Sequence, residues 1–365
     1  MTKIALVGCG KVGAMICRLL LDSGDYSVTA IDSTEEPLER LKDSDHLTRL
    51  CLDVSDGEAL GARLPGHFAV LCACPFYLTE TIAHAAKVAG CHYLDLTEDV
   101  RSTQQVRALA EGADTAFIPQ CGLAPGFISI VAHSMCQKFD ELNSVRLRVG
   151  ALPRYPTNSL SYNLTWSTDG LINEYCEPCQ SIMDGQSVTM PALTQRREFS
   201  LEGIQYESFN TSGGLGSLAD TLAGQVNNLS YQTVRYPGHW EIMQTLLNDL
   251  RLSERREVLK DILEYAIPAT YQDMVLIFAT VSGKRDGQLL QDTYVNKVYG
   301  RELNGEVRSA IQLTTASGIC AMLDLLHDGS LTGTGFIRQE QVSLEDFLAN
   351  RFGSNYLLDQ QHTAL

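Results

Sequence analysis

A glycine-rich turn with the spacing G-x-G-x-x-G stands near the start of the chain. It reads Gly8-Cys9-Gly10-Lys11-Val12-Gly13. The first glycine permits a tight turn, the second lets the backbone approach a pyrophosphate, and the third lets a helix pack close to a strand. The N-terminus of that helix offers N–H groups and partial positive charge to phosphates. The turn predicts a dinucleotide site; the alternative is a doubly wound fold that has lost its cofactor.

Acidic and apolar residues at the ends of the later strands predict the other cofactor contacts. Asp32 lies 19 residues past the last glycine, where a carboxylate accepts hydrogen bonds from the ribose hydroxyls and repels a 2′-phosphate, so NAD is favoured over NADP. We expect Asp53 and Val54 near the adenine, although Asp53 equally suits a helix N-terminus. The residues expected near the nicotinamide ribose are Cys74, Pro75 and Tyr77.

The elements that position these residues alternate between strand and helix up to residue 125, which predicts a Rossmann fold, a doubly wound parallel sheet with helices on both faces. The predicted strands are Lys3–Val7, Ser27–Ile31, Arg49–Val54, Phe68–Ala73, His92–Glu98 and Thr115–Pro119. The predicted helices are Ala14–Leu21, Glu35–Leu41, 78–90 and Ser102–Ala110.

The pattern changes after residue 125, which predicts an inserted α+β domain. A helix is expected over Ile128–Phe139, and strands that look antiparallel follow between Ser144 and Asn210. A helix over Glu241–Leu250 precedes a hairpin, whose strands Asp273–Ser282 and Gln291–Tyr299 flank the turn Gly-Lys-Arg-Asp-Gly. A long, nearly uncharged helix over Ser309–Leu326 is expected to be buried and to return to the first domain.

The composition is that of a soluble globular protein, and the net charge of -16 argues against nucleic acid or an anionic membrane as the main partner. We expect no signal peptide, no membrane span and a cytoplasmic location. The 11 cysteines suit buried thiols in a reducing compartment. Cys176 and Cys179 form a C-x-x-C with no second pair to complete a metal site, so they are read as two unrelated thiols, with a redox-active pair as the alternative.

Several motifs together carry a resemblance to a known family. They are GCGKVG with its later Asp32, YLDLTED, GLAPG, YNLTWSTDGLINEY, TSGG, RYPGH, TTASG, GFIRQE and FLANRFG. Over nearly its whole length the chain resembles the saccharopine dehydrogenase and lysine dehydrogenase family. Its short, single-unit length most resembles the lysine 6-dehydrogenase members, which remove the ε-amino group of L-lysine with NAD and release ammonia.

The resemblance also implies an architecture and a place in amino-acid metabolism, lysine degradation. It implies a discontinuous NAD-binding domain over 1–125 and 309–365. It implies a substrate-binding domain over 126–308 whose open sheet carries a dimer interface, so a homodimer or higher homo-oligomer is expected.

Oxidative deamination needs groups that move protons near the reacting amine. His239 is the predicted general base because its ordinary pKa is near neutrality and it follows a Pro-Gly turn; a histidine that caps the next helix is the alternative. Glu98 and Thr97 are expected at the nicotinamide end, where Glu98 holds the amine or acts as base, unless it is a helix N-terminal carboxylate. Asp95 is the second choice for the base.

The substrate also needs anchors. Arg235 is predicted to bind its carboxylate, because a guanidinium fork matches a carboxylate in two bonds; a surface arginine is the alternative. Pocket walls are expected from Tyr162, Asn163 and Trp166, of which Trp166 equally suits core packing. A diamine also allows acidic partners, and Glu174 or Asp169 are candidates beside Glu98.

Two other functions remain open at this stage. A saccharopine dehydrogenase, or a related opine- or polyamine-forming reductase, must hold a second dicarboxylic substrate and so needs a further basic anchor, for which Arg154, Arg196 and Arg197 are candidates. A non-catalytic NAD-binding regulator is the other possibility, and it would leave His239, Arg235 and Glu98 dispersed.

Overall fold

The computed structural model describes residues 1–303 and 305–357. It divides into two compact units, of which the first comprises Met1–Phe127 with Gln312–Tyr356 and the second comprises Ile128–Ile311. The domain ends predicted at 125 and 309 lie within three residues of these divisions. The last residues of the predicted NAD-binding domain, 358–365, lie outside the described residues. No helix in the described part of the chain combines the length and apolar character of a membrane span.

The first unit is built from short strands that alternate with helices. Its strands are β1 (Thr2–Val7), β2 (Tyr26–Asp32), β3 (Leu47–Cys51), β4 (Ala69–Cys72), β5 (His92–Asp95), β6 (Ala116–Ile118) and β17 (Gly335–Phe336). Its helices are α1 (Lys11–Ser23), α2 (Glu35–Glu39), α3 (Gly57–Gly61), α4 (Thr79–Ala89), α5 (Val100–Ala110), α12 (Leu344–Ala349) and all but the first two residues of α11 (Ala310–His327).

These strands form one parallel sheet in the order β17-β6-β5-β4-β1-β2-β3. The predicted Rossmann fold is confirmed. The strand order reverses between β1 and β4, and ligands bind at such a point, outside the carboxyl ends of the strands. The continuous apolar runs are buried on both faces, as the full burial of β4 shows. The predicted third strand was too long, since Asp53 already accepts a turn hydrogen bond from the Ser55 N–H.

The second unit is built mainly from longer strands. They are β7 (Glu141–Pro153), β8 (Cys179–Met183), β9 (Gln186–Met190), β10 (Arg197–Leu201), β11 (Ile204–Asn210), β12 (Val226–Arg235), β13 (Asp273–Arg285), β14 (Gln288–Tyr299), β15 (Arg301–Leu303) and β16 (Glu306–Arg308). The helices are α6 (Phe127–Cys136, with Phe127 in the first unit), α7 (Thr168–Cys176), α8 (Leu218–Leu222), α9 (His239–Gln244) and α10 (Arg256–Ala266).

Eight of these strands form a mixed sheet, with the path β10-β11-β12-β7-β13-β14 and with β8 and β9 beside β12. The pairs β8–β9 and β10–β11 within the stretch predicted as antiparallel are antiparallel, whereas β12 lies beyond that stretch, was not predicted, and runs parallel to β7. The hairpin was also misjudged: both strands extend to a tight turn at Asp286 and Gly287, and residues 283–285 remain paired in β13. The strand continues here because the backbone N–H and C=O groups of these residues still find partners across the hairpin. Their polar side chains gave no indication of this pairing in the sequence.

Of two predicted helices in the second half, one differs from its prediction and the other, α11, agrees with it to within one residue at each end. The helix expected over Glu241–Leu250 starts earlier, as α9, and changes to a π-helical turn at Thr245–Asp249. The long helix α11 starts where the Asp273 carboxylate accepts hydrogen bonds from the Ser309 hydroxyl and from the N–H groups of the next two residues, at 2.6–3.1 Å. This carboxylate satisfies backbone donors that every helix start leaves open.

Candidate active site

The glycine turn follows β1 and is shaped by steric demands that only glycine meets. Gly8 has a φ of +92°, and a Cβ there would lie 2.8 Å from the carbonyl carbon of Ala73. A Cβ on Gly13 would lie 1.9 Å from the Gly8 carbonyl oxygen. A Cβ on Gly10, by contrast, would meet no described atom within 4 Å. Two glycines therefore serve the fold of the turn, while Gly10 leaves room beside it.

This turn suits the diphosphate of a dinucleotide. Helix α1 begins at Lys11, and its N-cap residue, Gly10, has no side chain that could accept from the first backbone N–H groups. A helix start without a side-chain cap, beside a backbone that carries no Cβ, attracts a phosphate. The residues present therefore fit the pyridine dinucleotide that the sequence predicts.

Asp32 ends β2 directly beside the turn. Its Oδ2 accepts a hydrogen bond of 2.8 Å from the Cys9 N–H, and its Oδ1 accepts one of 3.2 Å from the Thr34 N–H. These two donors fix the carboxylate at the place where an adenosine ribose is expected in a Rossmann fold. Each oxygen keeps acceptor capacity for a ribose hydroxyl, since a carboxylate has about four lone-pair sites.

The other predicted cofactor residues differ in how well their positions suit the role. Val54 is buried in the apolar core of the first unit, so its side chain serves packing instead of the adenine. The backbone bond from Ser55 lowers the pKa of the exposed Asp53, which suits a turn-forming carboxylate. Cys74 and Pro75 follow β4, and the Cys74 thiol lies beside Gly8; Tyr77 comes after them and is exposed.

Successive hydrogen bonds from backbone N–H groups to side chains fix the loop that follows β5. Oδ1 of Asp95 accepts hydrogen bonds from the N–H groups of Thr97, at 3.0 Å, and Gln120, at 2.9 Å. The Thr97 hydroxyl accepts from the Asp99 N–H at 3.2 Å, and Asp99 caps α5 by accepting from the Ser102 N–H at 2.7 Å. The helix-capping carboxylate at this position is thus Asp99, and the alternative interpretation of Glu98 as that cap was wrong.

Asp95 itself is a positioning residue. It is 1% exposed, and burial raises the pKa of its carboxyl to about 6. Its Oδ1 ties the end of β5 to the segment after β6, while the half-buried Glu98 follows on the same loop. Asp95 therefore shapes the loop that carries Thr97 and Glu98 through its Oδ1, while its buried Oδ2 has no hydrogen-bond partner among the described residues. Its role as the second-choice base stays a prediction.

In the second unit, Arg235 ends β12 and starts a buried chain of hydrogen bonds. Its Nε donates to the Tyr175 hydroxyl at 2.9 Å, and that hydroxyl lies 3.0 Å from His239 Nε2. The other ring nitrogen, Nδ1, lies 2.9 Å from the Leu160 carbonyl oxygen. A carbonyl can only accept, so we assign the proton to Nδ1, and Nε2 accepts from Tyr175.

This chain makes His239 unsuitable as the predicted general base. Its ring is 1% exposed, and both of its nitrogens have partners. Burial, with the Arg235 charge as a second cause, lowers the pKa of His239 to about 3. A histidine with this pKa stays neutral at physiological pH and is too weak a base for an amine. We reassign it to positioning Tyr175 and, through it, Arg235.

Arg235 is a buried cation with capacity left for a ligand. It is 3% exposed, and its Nη1 donates to the Val234 carbonyl at 2.8 Å. Burial lowers its pKa, but Tyr175, Tyr162 and Glu174 outweigh that effect and raise it above its ordinary value. Among the described residues Nη2 has no hydrogen-bond partner. The alternative interpretation, a surface arginine, was wrong.

The predicted wall residues lie unevenly around this guanidinium. Tyr162 lies under it, with the Arg235 Cζ 4.8 Å from the ring centroid, and the Tyr162 hydroxyl accepts from Trp166 Nε1 at 2.8 Å. Asn163 is turned elsewhere, since its Nδ2 donates to the Pro268 carbonyl at 2.8 Å. Sequence reasoning missed Tyr175, because a tyrosine inside a short helix carries no pattern that distinguishes it from core packing.

The acidic candidates differ in their burial and in whether a described cation already pairs with them. Asp169 forms an ion pair of 2.7 Å with Lys260, so its charge is already matched. Glu174 is 7% exposed and close enough to Arg235 to raise that pKa. Glu207, the cross-strand neighbour of Arg235 in the sheet register, forms an ion pair of 2.9 Å with Arg196 and accepts from the Trp240 N–H.

The remaining basic and thiol candidates lie outside this cluster. Arg154 stacks on Tyr299, with a separation of 5.0 Å to the ring centroid, and Arg197 stands on the opposite face of the sheet from Arg235. Cys176 and Cys179 are free thiols, and burial raises the pKa of each. A raised pKa disfavours the reactive thiolate, which suits the interpretation as two unrelated thiols.

The fold and the glycine turn define a pyridine-nucleotide-binding protein of the Rossmann class. Residues 4–118 match the sequence profile described as saccharopine dehydrogenase NADP binding domain, and residues 122–352 match the profile of the saccharopine dehydrogenase C-terminal domain. The chain belongs to the saccharopine dehydrogenase family.

Individual relatives are distant. A saccharopine dehydrogenase [NADP(+), L-glutamate-forming] of Pyricularia oryzae is 22% identical over 78% of this chain and 65% of its own length. The mitochondrial alpha-aminoadipic semialdehyde synthase of Bos taurus is 19% identical over 82% of this chain and 33% of its own length. The chain thus spans less than two thirds of either relative.

A solved structure agrees in fold. The apo saccharopine dehydrogenase (L-Glu forming) of Saccharomyces cerevisiae matches with a TM-score of 0.78 at 17% identity, over 98% of this chain and 96% of that one.

Proposed function

We propose that the protein is an NAD-dependent oxidoreductase that oxidises a C–N bond of an amino acid. The reaction we favour is the oxidative deamination of the ε-amino group of L-lysine, which yields the semialdehyde or its cyclic imine and ammonia. Family membership supports the class of reaction. The choice of substrate rests on one observation, the buried guanidinium of Arg235.

Arg235 suits a single substrate carboxylate. Its Nε and Nη1 are held by Tyr175 and by a backbone carbonyl, which fixes the plane of the guanidinium. Its charge is matched by no described ion pair, because the cross-strand Glu207 is bound by Arg196 instead. A desolvated cation of this kind binds a carboxylate strongly, since a charge-assisted hydrogen bond contributes about 1.5–3 kcal/mol.

The other arginines favour a monocarboxylate over a dicarboxylate. A saccharopine-type substrate brings further carboxylates and needs a second anchor near the first. Arg196 is neutralised by Glu207 and Glu198, Arg154 stacks on Tyr299, and Arg197 is on the opposite sheet face. Within the described part of the second unit, these contacts leave Arg235 as the buried cation suited to this role.

Saccharopine oxidation is the second candidate, and one observation favours it. One relative is named as a saccharopine dehydrogenase and the other as an alpha-aminoadipic semialdehyde synthase, and both profiles carry the saccharopine dehydrogenase name. Their identity of 19–22% leaves room for a different substrate in this chain.

The residues would divide the work as follows. The bound nicotinamide would accept the hydride. Asp32 would hold the adenosine ribose and repel a 2′-phosphate, which supports NAD although one relative is named for NADP(+). Glu98 is our proposal for the group that takes the amine proton, because Asp95 and Thr97 fix its loop by backbone hydrogen bonds. His239 and Tyr175 would orient Arg235.

The test is NADH formation at 340 nm with L-lysine, saccharopine and L-ornithine, each with NAD and with NADP. We expect turnover of L-lysine with NAD and stoichiometric ammonia release. Turnover of saccharopine alone, with glutamate release, would establish the second candidate. No turnover of any amine, together with tight NADH binding in a fluorescence titration, would support the regulator instead.

A further inference from the structure

Three arginines stand together on the sheet face of the second unit that is opposite to Arg235. Arg146 and Arg148 are two residues apart in β7, so both point to one face, which they share with Ser230 and Gln232 of β12. Arg197 in β10 reaches the same face through its register with Ser208, the partner of Val234. Arg235 is an odd number of residues from Ser230 and Gln232 in β12, so it points to the opposite face of the sheet. We call Arg146, Arg148 and Arg197 the arginine cluster.

The arginine cluster is unpaired in a protein that has acidic residues in excess. The chain carries 44 acidic and 28 basic residues, yet none of these three guanidinium groups forms an ion pair with any described carboxylate. Burial lowers the pKa of Arg148, and repulsion from Arg146 and Arg197 lowers it further. An anion bound between these guanidinium groups would offset their mutual repulsion.

Arg148 is held in place rather than left mobile. Its Cζ lies 5.1 Å from the ring centroids of both Phe199 and Phe278. Its Nε is buried and has no hydrogen-bond partner among the described residues. An unsatisfied buried donor of a charged group is costly. The two rings preorganise this guanidinium for a ligand that the protein itself does not supply.

A cavity of about 460 Å³ adjoins the cluster, which is within the size range of small-molecule sites. Arg146 and Arg197 line it together with Arg196, and polar groups on the neighbouring strands add hydrogen-bonding capacity. Those polar residues are Ser181, Gln195, Asn228 and Ser230. No carboxylate is among its described lining residues. All charged residues in the described lining are therefore cations.

We propose that this cavity binds a small polyanion, with two or more carboxylate or phosphate groups, at a site separate from the Arg235 anchor. Forked guanidinium groups match both kinds of anion in two parallel bonds. A second copy of this chain is the competing occupant of an open sheet face. A two-fold contact uses the same patch on both copies, and the cross-strand neighbours of the arginine cluster offer no carboxylate that could pair with it, which favours the anion; those neighbours are Ser230, Thr280, Gln232, Phe278 and Ser208.

The experiment is isothermal titration calorimetry of citrate, inorganic phosphate and pyrophosphate into the full-length protein at constant ionic strength. We expect binding of citrate or pyrophosphate, and at least a tenfold weaker affinity in the double variant R146A/R197A. Preference for citrate identifies a polycarboxylate, and preference for pyrophosphate identifies a phosphorylated ligand. The variant R255A removes an exposed arginine of the same unit outside the cavity lining, and it should bind like the wild type.

Two outcomes would overturn the proposal. One is equal anion affinity in the wild type and R146A/R197A, which would place any binding elsewhere. The other is absence of binding up to millimolar anion, with an oligomeric state that changes in R146A/R197A by light scattering; this would assign the face to a second copy. The variant R146K/R197K keeps the charge without the fork and should bind with intermediate affinity, which guards against a folding defect in the alanine variant.

Discussion

The glycine turn of the first unit and the Arg235 cluster of the second unit are built in opposite ways. The turn is assembled from neighbours in sequence, and its glycines are required because backbone atoms lie 1.9–2.8 Å from where their Cβ atoms would be. The Arg235 cluster is assembled from residues 160, 162, 175, 235 and 239, joined by side-chain contacts. A local constraint is readable from spacing, whereas a network of this kind is defined only by the fold.

Substitution within the turn gives the largest expected effect. Gly13→Ala places a Cβ 1.9 Å from the Gly8 oxygen, so the turn must shift, and we expect NADH binding to fall by at least a hundredfold. Gly10→Ala meets no described protein atom, so the thermal midpoint should stay within about 2 °C while cofactor binding weakens. Gly61→Ala, with equally open surroundings, is the control. Normal NADH affinity in Gly13→Ala would contradict the steric account.

Loss of the carboxylate anchor should come next. Arg235→Ala removes the buried cation and leaves the Tyr175 hydroxyl without its donor. We expect kcat/KM for the amino acid to fall by about 10²–10³, mainly through KM, since an interaction with an unreacting carboxylate contributes to uniform binding. NADH affinity should be unchanged. R255A provides the matched arginine control, and steady-state kinetics with both variants would show whether the loss is specific.

Cofactor selection should respond more modestly. Asp32→Ala removes the acceptor beside Cys9 and its repulsion of a 2′-phosphate. We expect NAD binding to weaken about tenfold and the preference for NAD over NADP to narrow by a similar factor. The comparison of kcat/KM for the two cofactors measures it. An unchanged ratio would show that another residue discriminates the ribose.

The smallest effect concerns the buried histidine. Its pKa is about 3 in the folded protein and about 6.5 when unfolded, so the unfolded state binds the additional proton. The stability that depends on a neutral His239 is complete above pH 6.5 and is lost progressively as the pH falls toward 3. Between pH 7.5 and pH 5.5 this amounts to about 1 kcal/mol.

Urea unfolding of the wild type and of His239→Gln at those two pH values would measure this loss. The variant lacks the titrating group, so the pH-dependent difference in its unfolding free energy should be smaller by that amount. Equal differences in the two proteins would mean that His239 has the same pKa in the folded and the unfolded state.

The same contrast explains what could be predicted from sequence. The parallel sheet follows from alternating strand and helix signals, and Asp32 follows from its distance to the glycines. The parallel pairing of β7 with β12 could not be predicted, because an apolar run does not specify the direction of its partner. The Pro-Gly turn before His239 suggested accessibility, but packing against Tyr162, Tyr175 and Phe209 buries the ring.

Sequence reasoning could not assign a role to a residue when its neighbour in the chain suited the same role equally well. Glu98 and Asp99 both suit a helix start, and only the observed bond to the Ser102 N–H distinguishes them. Asp95 lies where a catalytic acid is expected, but two backbone donors use its carboxylate to shape the loop. Arg235 was chosen because a guanidinium fork matches a carboxylate, and its burial excludes the alternative of a surface arginine.

The bond between Asp273 and the first residues of α11 links the dynamics of two distant parts of the chain. Amides in the first turn of a helix ordinarily exchange with solvent quickly, because that end frays. Ala310 and Ile311 instead donate to a carboxylate at the first residue of β13, 37 and 38 positions earlier in the chain. Their deuterium uptake should therefore follow the opening of the start of β13, which pairs with β7 and β14 on its two sides, so that the start of this helix reports on the integrity of a strand.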